Sequence, residues 1–396
     1  MLAVFFLAFG VLAPDIALAA NEDAPKIQAT SAAVMDVPTG RFIYELRADK
    51  RVPMASTTKV MTARIVLESG LDPQARVTVP QLNMRWDEMD VGLKPGQTIS
   101  ADLLLEALLV ASAGDAAKTL AAEVAGDEPA FVKLMNEEAK RLGLDDTRYA
   151  NSHGLDASGH YTTARDLTEL ARLEMEDDRF AAYVATEEVS VPQVDDPKPL
   201  KVENTNQLML RNNWVTGVKT GYTSGAGYCL VASGVYDGHE MIVTVLGAPD
   251  PETRNQDVVK LFKYGASLYQ TWKSPAAGAV IATATVPYST LTLDIVQSAR
   301  FSVSIPPGAE VSEEVDAPRA VSAPVARDET LGRVSYAVDG DPADERALVA
   351  DREIPVADWR SRLRYRLWQI WDRGSDALAG AFRRAADPRA IFAPAF

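Results

Sequence analysis

The chain has 396 residues, 47% of them hydrophobic and 24% charged, values near globular averages that exclude a mainly disordered chain and a many-pass membrane protein and leave room for two or three domains. Forty basic residues against 55 acidic ones give a net charge of −15; such a surface repels phosphate backbones, so nucleic acid is excluded as a partner. The charge is uneven, with eight arginines and three aspartates between Trp359 and Phe396.

At the start of the chain an apolar run, Leu2 to Ala13, leads to the small-residue pattern Ala17-Leu18-Ala19 and then polar Asn21-Glu22-Asp23. Residues 1–19 read as a secretory signal peptide, so export is expected. Ala29 to Tyr44 is predicted to form two strands around the turn Val37-Pro38-Thr39-Gly40, and Ser56 to Ser69 a helix apolar on most sides, which suits the middle of a core. Ser100 is placed to cap a helix from Ala101 to Val110, with Asp102 near its positive end. Helical patterns continue over Ala116 to Ala125, Glu128 to Gly143 and Thr163 to Glu174. Strand patterns return at Gly227 to Val235 and Glu240 to Leu246, followed by a predicted helix from Gln256 to Trp272. The single cysteine, Cys229, lies in a strand-like run and reads as a small buried thiol; it can form no disulfide within the chain.

Beyond Lys273 the texture changes to short alternating runs at 279–288, 290–297, 301–305, 332–338 and 347–354, separated by Pro and Gly, with a loop-like stretch at 317–326. In the tail, Trp359, Leu363, Leu367, Ile370 and Trp371 share one helical stripe, with Arg360, Arg362, Arg364 and Arg373 outside its centre. This is a basic amphipathic helix suited to lie on an anionic membrane surface rather than span it. The expected organisation is a signal peptide (1–19), a domain of one sheet with a helical layer (24–273), a small β-rich domain (274–357) and a membrane-anchoring amphipathic tail (358–396).

The chemistry is narrowed first by elimination. Only three histidines occur, and His239-Glu240 lacks a second histidine four positions on, so no metalloprotease helix is present; Gly-x-Ser-x-Gly is also absent. His153, in Asn151-Ser152-His153-Gly154-Leu155, reads as a turn anchor. Ser56-Thr57-Thr58-Lys59 offers another nucleophile: residues three apart lie one turn above each other, so the amine reaches the hydroxyl. A lysine at the start of a core helix is pushed toward its neutral form and can then take the serine proton. Ser-x-x-Lys alone carries little weight, since it arises about once by chance in a chain this long. Lys219-Thr220-Gly221 adds a cation, a hydroxyl for a carboxylate, and a glycine that lets a substrate backbone lie against a strand edge.

With these motifs the sequence resembles the low-molecular-mass penicillin-binding proteins that act as serine-type D-alanyl-D-alanine carboxypeptidases. The resemblance extends over Leu93-Lys94-Pro95-Gly96, residues 151–156, residues 160–166, and Gly217 to Thr223 followed by Ala226 to Ser233. It implies an α/β (α+β) transpeptidase-like fold, no metal or organic cofactor, and a peptidoglycan stem peptide as substrate, with β-lactams as covalent inhibitors. By the same resemblance Ser56 is the nucleophile, Lys59 its general base and Ser112 a second hydroxyl of the proton relay. Lys219 and Thr220 hold the terminal carboxylate with Arg254, and backbone N–H groups of Ser56 and Tyr222, beside Gly221, form the oxyanion hole. One position departs from the pattern: Ser112-Ala113-Gly114 stands where the family has Ser-x-Asn, which predicts slower acylation or an altered substrate range. Two alternatives stay open, a catalytically weak peptidoglycan-binding protein and a β-lactamase. The second lacks a Glu-x-x-Leu-Asn segment between Ser112 and Lys219. The implied location is the periplasmic face of the cytoplasmic membrane, peripherally bound.

Overall fold

The computed structural model describes residues 24–288, 292–360 and 362–367, so the expected signal peptide and the tail residues Ile370, Trp371 and Arg373 lie outside the described residues. The chain divides into two compact units after Leu268.

The first unit opens with β1 (Ser31–Asp36) and β2 (Arg41–Leu46), antiparallel. Their turn closes through Gly40, whose N–H donates to the Asp36 carbonyl at 2.9 Å and whose φ of 67° suits a residue without a side chain. A 3₁₀ turn (Ala55–Thr58) runs into α1 (Lys59–Glu68). Val60, Met61, Ala63 and Val66 of α1 are buried, consistent with its nearly uniform apolar surface. The short strands β3 (Arg76–Thr78) and β4 (Thr98–Ser100) pair with each other before α2 (Ala101–Val110). As the sequence predicts, the Ser100 hydroxyl accepts the Leu103 N–H at 3.3 Å. The layer continues with α3 (Gly114–Ala125), α4 (Glu128–Arg141), α5 (Ala164–Met175) and α6 (Asp178–Ala185), all of which pack on one another or on α1. Next come the hairpin β5 (Glu188–Val191) with β6 (Leu200–Glu203), and α7 (Gln207–Arg211). The unit ends with β7 (Val215–Thr223), β8 (Gly227–Tyr236), β9 (His239–Ala248) and α8 (Pro251–Ser267).

These strands form one antiparallel sheet in the order β2-β1-β9-β8-β7. Chain-terminal pieces therefore meet in the middle of the sheet, and β7 is left at an edge. Cys229 is fully buried in β8, and burial pushes its thiol up to about 11, which makes it inert.

One predicted element is corrected. The helix expected over Gln256 to Trp272 is α8, which starts earlier, at an Asp250 cap that accepts the Thr253 N–H at 2.8 Å, and stops at Ser267. Gln270–Lys273 is instead a strand, β10, because Thr271 and Trp272 favour extended backbone and a distant partner supplies the hydrogen bonds that a helix would otherwise provide.

That partner belongs to the second unit. After β10 come β11 (Val280–Thr285), β12 (Thr292–Gln297), β13 (Ser302–Ile305), β14 (Val311–Asp316), β15 (Thr330–Val338) and β16 (Asp341–Ala350). The main sheet runs β11-β12-β16-β15-β14, and β10 pairs with β13. The short alternating runs of the sequence are these strands; β14, acidic and mostly exposed, has no apolar alternation to announce it. Ala284, Ile295, Val334, Tyr336 and Leu348 make the core, and the Tyr336 hydroxyl donates to buried Gln297 Oε1 at 2.6 Å.

In the tail, residues 359–360 and 362–367 are helical. Trp359, Leu363 and Leu367 are 69%, 50% and 58% exposed. Among the described residues no helix is long and apolar enough to cross a membrane.

Candidate active site

Ser56 sits in the 3₁₀ turn and Lys59 is the first residue of α1. In a 3₁₀ turn side chains at i and i+3 eclipse, which aligns the two more closely than an α-helical turn would. Lys59 Nζ lies 3.1 Å from Ser56 Oγ and donates to the His153 carbonyl at 2.5 Å. The residue as a whole is only 2% exposed. Burial lowers its proton affinity to about 7; the nearby Glu88 and Asp115 carboxylates oppose that shift and Lys118 adds to it. The preceding residue, Ala55, has a φ of 50°, left-handed backbone that a side-chain-bearing residue adopts only when its surroundings demand it.

Ser112 occupies the link between α2 and α3, also left-handed at φ 60°. Its buried hydroxyl has no hydrogen-bond partner among the described residues. A buried hydroxyl left unpaired costs about 1–3 kcal/mol, so its presence points to a partner supplied from outside.

The opposite wall is β7. Glycine at 221 permits a close approach: a Cβ there would fall 3.0 Å from the Ser56 amide nitrogen and 3.1 Å from the Met54 carbonyl oxygen. The strand edge thus abuts the backbone of the nucleophile, which is how positions 165 residues apart come to share a site. Gly154 closes in from a third side, its φ at 98° and its virtual Cβ 2.2 Å from the Ala55 carbonyl oxygen. Thr220 donates its hydroxyl proton to Thr205 Oγ1 at 2.7 Å, and Tyr222 projects from the strand against Tyr228.

Ser56, Lys59, Ser112, Thr220, Gly221, Tyr222 and Arg254 all line one cleft of about 330 Å³. Lys219 does not line it; this side chain is 1% exposed, and its Nζ donates to the Thr220 carbonyl at 3.2 Å. Burial pushes Lys219 well below the usual lysine range, and Lys59 and Arg254 push the same way. Arg254, from α8, is 6% exposed and is held by its neighbour Asn255 Oδ1 at 2.9 and 3.1 Å. Among the described residues, Lys59, Lys219 and Arg254 have no carboxylate within 4.0 Å. Lys219 and Arg254, close enough for their charges to repel, thus lack a direct carboxylate partner, an arrangement that suits an anionic ligand because buried charges are otherwise paired.

Two cleft residues escape sequence reasoning. His153 anchors its turn as predicted, with Asn151 Oδ1 accepting the Gly154 N–H at 2.6 Å, but its carbonyl also holds Lys59 and its ring lines the cleft. Burial lowers the ring to about 3, with Lys59 and Lys118 adding to the shift, so it stays neutral at working pH. Glu88 lines the cleft too, from a loop between β3 and β4 with no motif around it.

The family description that matches residues 18–250 is D-alanyl-D-alanine carboxypeptidase. The D-alanyl-D-alanine carboxypeptidase DacF of Bacillus subtilis is 29% identical over 340 residues, covering 83% of this chain and 87% of the relative. DacC of Escherichia coli, of the same name, is 29% identical over 386 residues, 92% of each chain. Among solved structures, penicillin binding protein 5 from Haemophilus influenzae superposes with a TM-score of 0.60 at 27% identity, over 84% of this chain and 98% of that one. A Ser–Lys pair against a strand edge, within a fold and a sequence shared along most of their lengths, places the chain in the D-alanyl-D-alanine carboxypeptidase family.

Proposed function

We propose that the protein is a serine-type carboxypeptidase that trims the terminal D-Ala from peptidoglycan stem pentapeptides through an acyl-enzyme on Ser56, and that β-lactams acylate the same serine. The observation that carries this reading is the 3.1 Å approach of Lys59 Nζ to Ser56 Oγ in a cleft that Ser112, Thr220 and Arg254 also line. Neutral Lys59 takes the Ser56 proton as the oxygen attacks the penultimate D-Ala carbonyl, and passes it on to the departing amine. Ser112, whose hydroxyl has no partner among the described residues, relays that proton. The Ser56 and Tyr222 N–H groups, brought together by the contact at Gly221, are the donors for the developing oxyanion. The terminal carboxylate binds Thr220 and Arg254, with Lys219 regaining its charge behind them. Incubation with a peptide ending in D-Ala-D-Ala tests the reading: free D-Ala is expected, and labelled penicillin should remain covalently on Ser56. Neither product would refute it.

The role of Arg254 is separable from the chemistry. Arg254→Leu should lower kcat/KM for the free-acid peptide about 30-fold, the value of roughly 2 kcal/mol for one charge-assisted interaction. The C-terminally amidated peptide, already a poor substrate, should be affected several times less. Equal losses on both peptides would remove Arg254 from carboxylate binding.

The protein acts, in this reading, after export, held peripherally at the periplasmic face of the cytoplasmic membrane by its C-terminal helix. Trp359, Leu363 and Leu367 support it, one helical stripe at least half exposed among the described residues. Deletion of residues 359–396 should move the protein to the soluble fraction with peptide hydrolysis unchanged. Retention in the membrane pellet would refute the anchor.

A further inference from the structure

The position at which the chain departs from its family's motif is not vacant. A Cβ built on Gly114 would fall 2.3 Å from Glu88 Oε1 and 2.8 Å from Glu88 Cγ, so the glutamate side chain fills the volume that a longer residue at 114 would need. Three backbone contacts hold it there: the Gly114 N–H donates to the Met89 carbonyl at 2.8 Å, and the Val91 and Leu93 N–H groups donate to the Asp115 carboxylate at 3.1 and 3.0 Å. The loop carrying Glu88 is thereby pinned to the start of α3.

The two carboxylate oxygens have different surroundings. Oε2 accepts from Lys118 Nζ at 2.7 Å and from the Arg85 N–H at 3.4 Å. Among the described residues Oε1 has no hydrogen-bond partner, although the side chain is only 3% exposed. Its nearest ring neighbour, His153 Nδ1 at 3.7 Å, accepts the Leu155 N–H at 3.3 Å and so has no proton to donate. A buried carboxylate oxygen without a donor among the described residues, on a side chain that lines the cleft with Ser56 and Lys59, takes its hydrogen bond from water or substrate.

We propose that Glu88 is a further catalytic residue, the general base that activates the water for hydrolysis of the Ser56 acyl-enzyme. The inference rests on the Ser56 reading above. In this step Glu88 Oε1 accepts a proton from the bound water as the water oxygen bonds to the ester carbonyl carbon. The tetrahedral intermediate then collapses with cleavage of the bond from that carbon to Ser56 Oγ. The proton on Glu88 passes through the Lys59 amine to Ser56 Oγ, and the peptide acid loses its remaining hydroxyl proton to solvent. An ionised carboxylate only accepts hydrogen bonds, whereas an amide at residue 114 would also donate, so the exchange converts a binding group into a base. Ser–Lys acyltransferases that hydrolyse their esters quickly have the same need for a carboxylate acting through water.

The test is pre-steady-state release of D-Ala from a D-Ala-D-Ala peptide by the full chain and by Glu88→Gln, with acid-quenched mass spectrometry of the acyl-enzyme. The variant should keep a burst of about one equivalent of D-Ala at the parental rate. Its steady-state rate should fall about 100-fold, with the acyl-peptide accumulating on Ser56. Lys118→Met, which removes the ion pair but keeps the carboxylate, should lower the melting temperature without accumulation of acyl-enzyme. If Glu88→Gln does not fold, Glu88→Asp, which retracts the carboxylate, gives the same readout. Burst and steady-state rates falling together without accumulation would overturn the assignment, as would unchanged kinetics. Absence of any Ser56 adduct in the parent would instead overturn the acyl-enzyme reading itself.

Discussion

Ser56→Ala should lose at least about 10⁴-fold in D-Ala release from a D-Ala-D-Ala peptide, and covalent labelling by penicillin should vanish. The magnitude follows from the step removed: without the nucleophile only cleft binding and oxyanion donors remain, and residues of such a unit are not additive when deleted. The fold should survive, because among the described residues the Ser56 hydroxyl bonds only to Lys59 Nζ, which keeps the His153 carbonyl. Circular dichroism and a melting temperature within a few degrees of the parent would separate chemistry from unfolding. A residual rate within tenfold of the parent would mean that another group attacks the peptide.

Lys59→Met should cost about 10² to 10⁴-fold in acylation, the usual contribution of a positioned base. Methionine fills the same buried volume, and the site loses an amine whose burial opposes its charge. The gain offsets the unpaired His153 carbonyl, so the melting temperature should stay within about 5 °C. The parent carries a second signature. Lys59 must be neutral to accept the Ser56 proton, and its proton affinity is lowered to about 7. Acylation, read as kcat/KM, should therefore fall tenfold per pH unit below about 7 and level off above it. The stability consequence has the opposite cause but the same direction. Unfolded, the amine returns to its ordinary value of 10.5, so between about 7 and 10.5 the unfolded chain binds the extra proton and folding stability rises with pH. An acid limb unmoved by Lys59→Met would assign the titration to a different group.

The motifs that carry chemistry were legible because each is local. Ser56 and Lys59 share one turn, and Lys219-Thr220-Gly221 lies within one strand. The apolar surface of α1, the Ser100 cap and the burial of Cys229 follow from composition within a few residues. Elements whose hydrogen bonds close elsewhere were hidden. Gln270–Lys273 continues a helical pattern yet pairs with Ser302–Ile305, and Val311–Asp316, with three acidic residues of six, is a strand because β15 holds it.

Sequence alone determined which groups are available: a hydroxyl and an amine one turn apart, a basic strand, and a motif position without a side chain. Only the tertiary structure decided what those groups are worth. The lowered proton affinity of Lys59 is a sum over burial and neighbouring charges drawn from several elements. The meeting of Gly221 with Ser56 depends on sheet order, which puts β7 at an edge. Glu88 in the space beside Gly114 is the clearest instance, since a missing side chain is visible in one dimension, while the group that fills its volume is known only once the chain has packed in three.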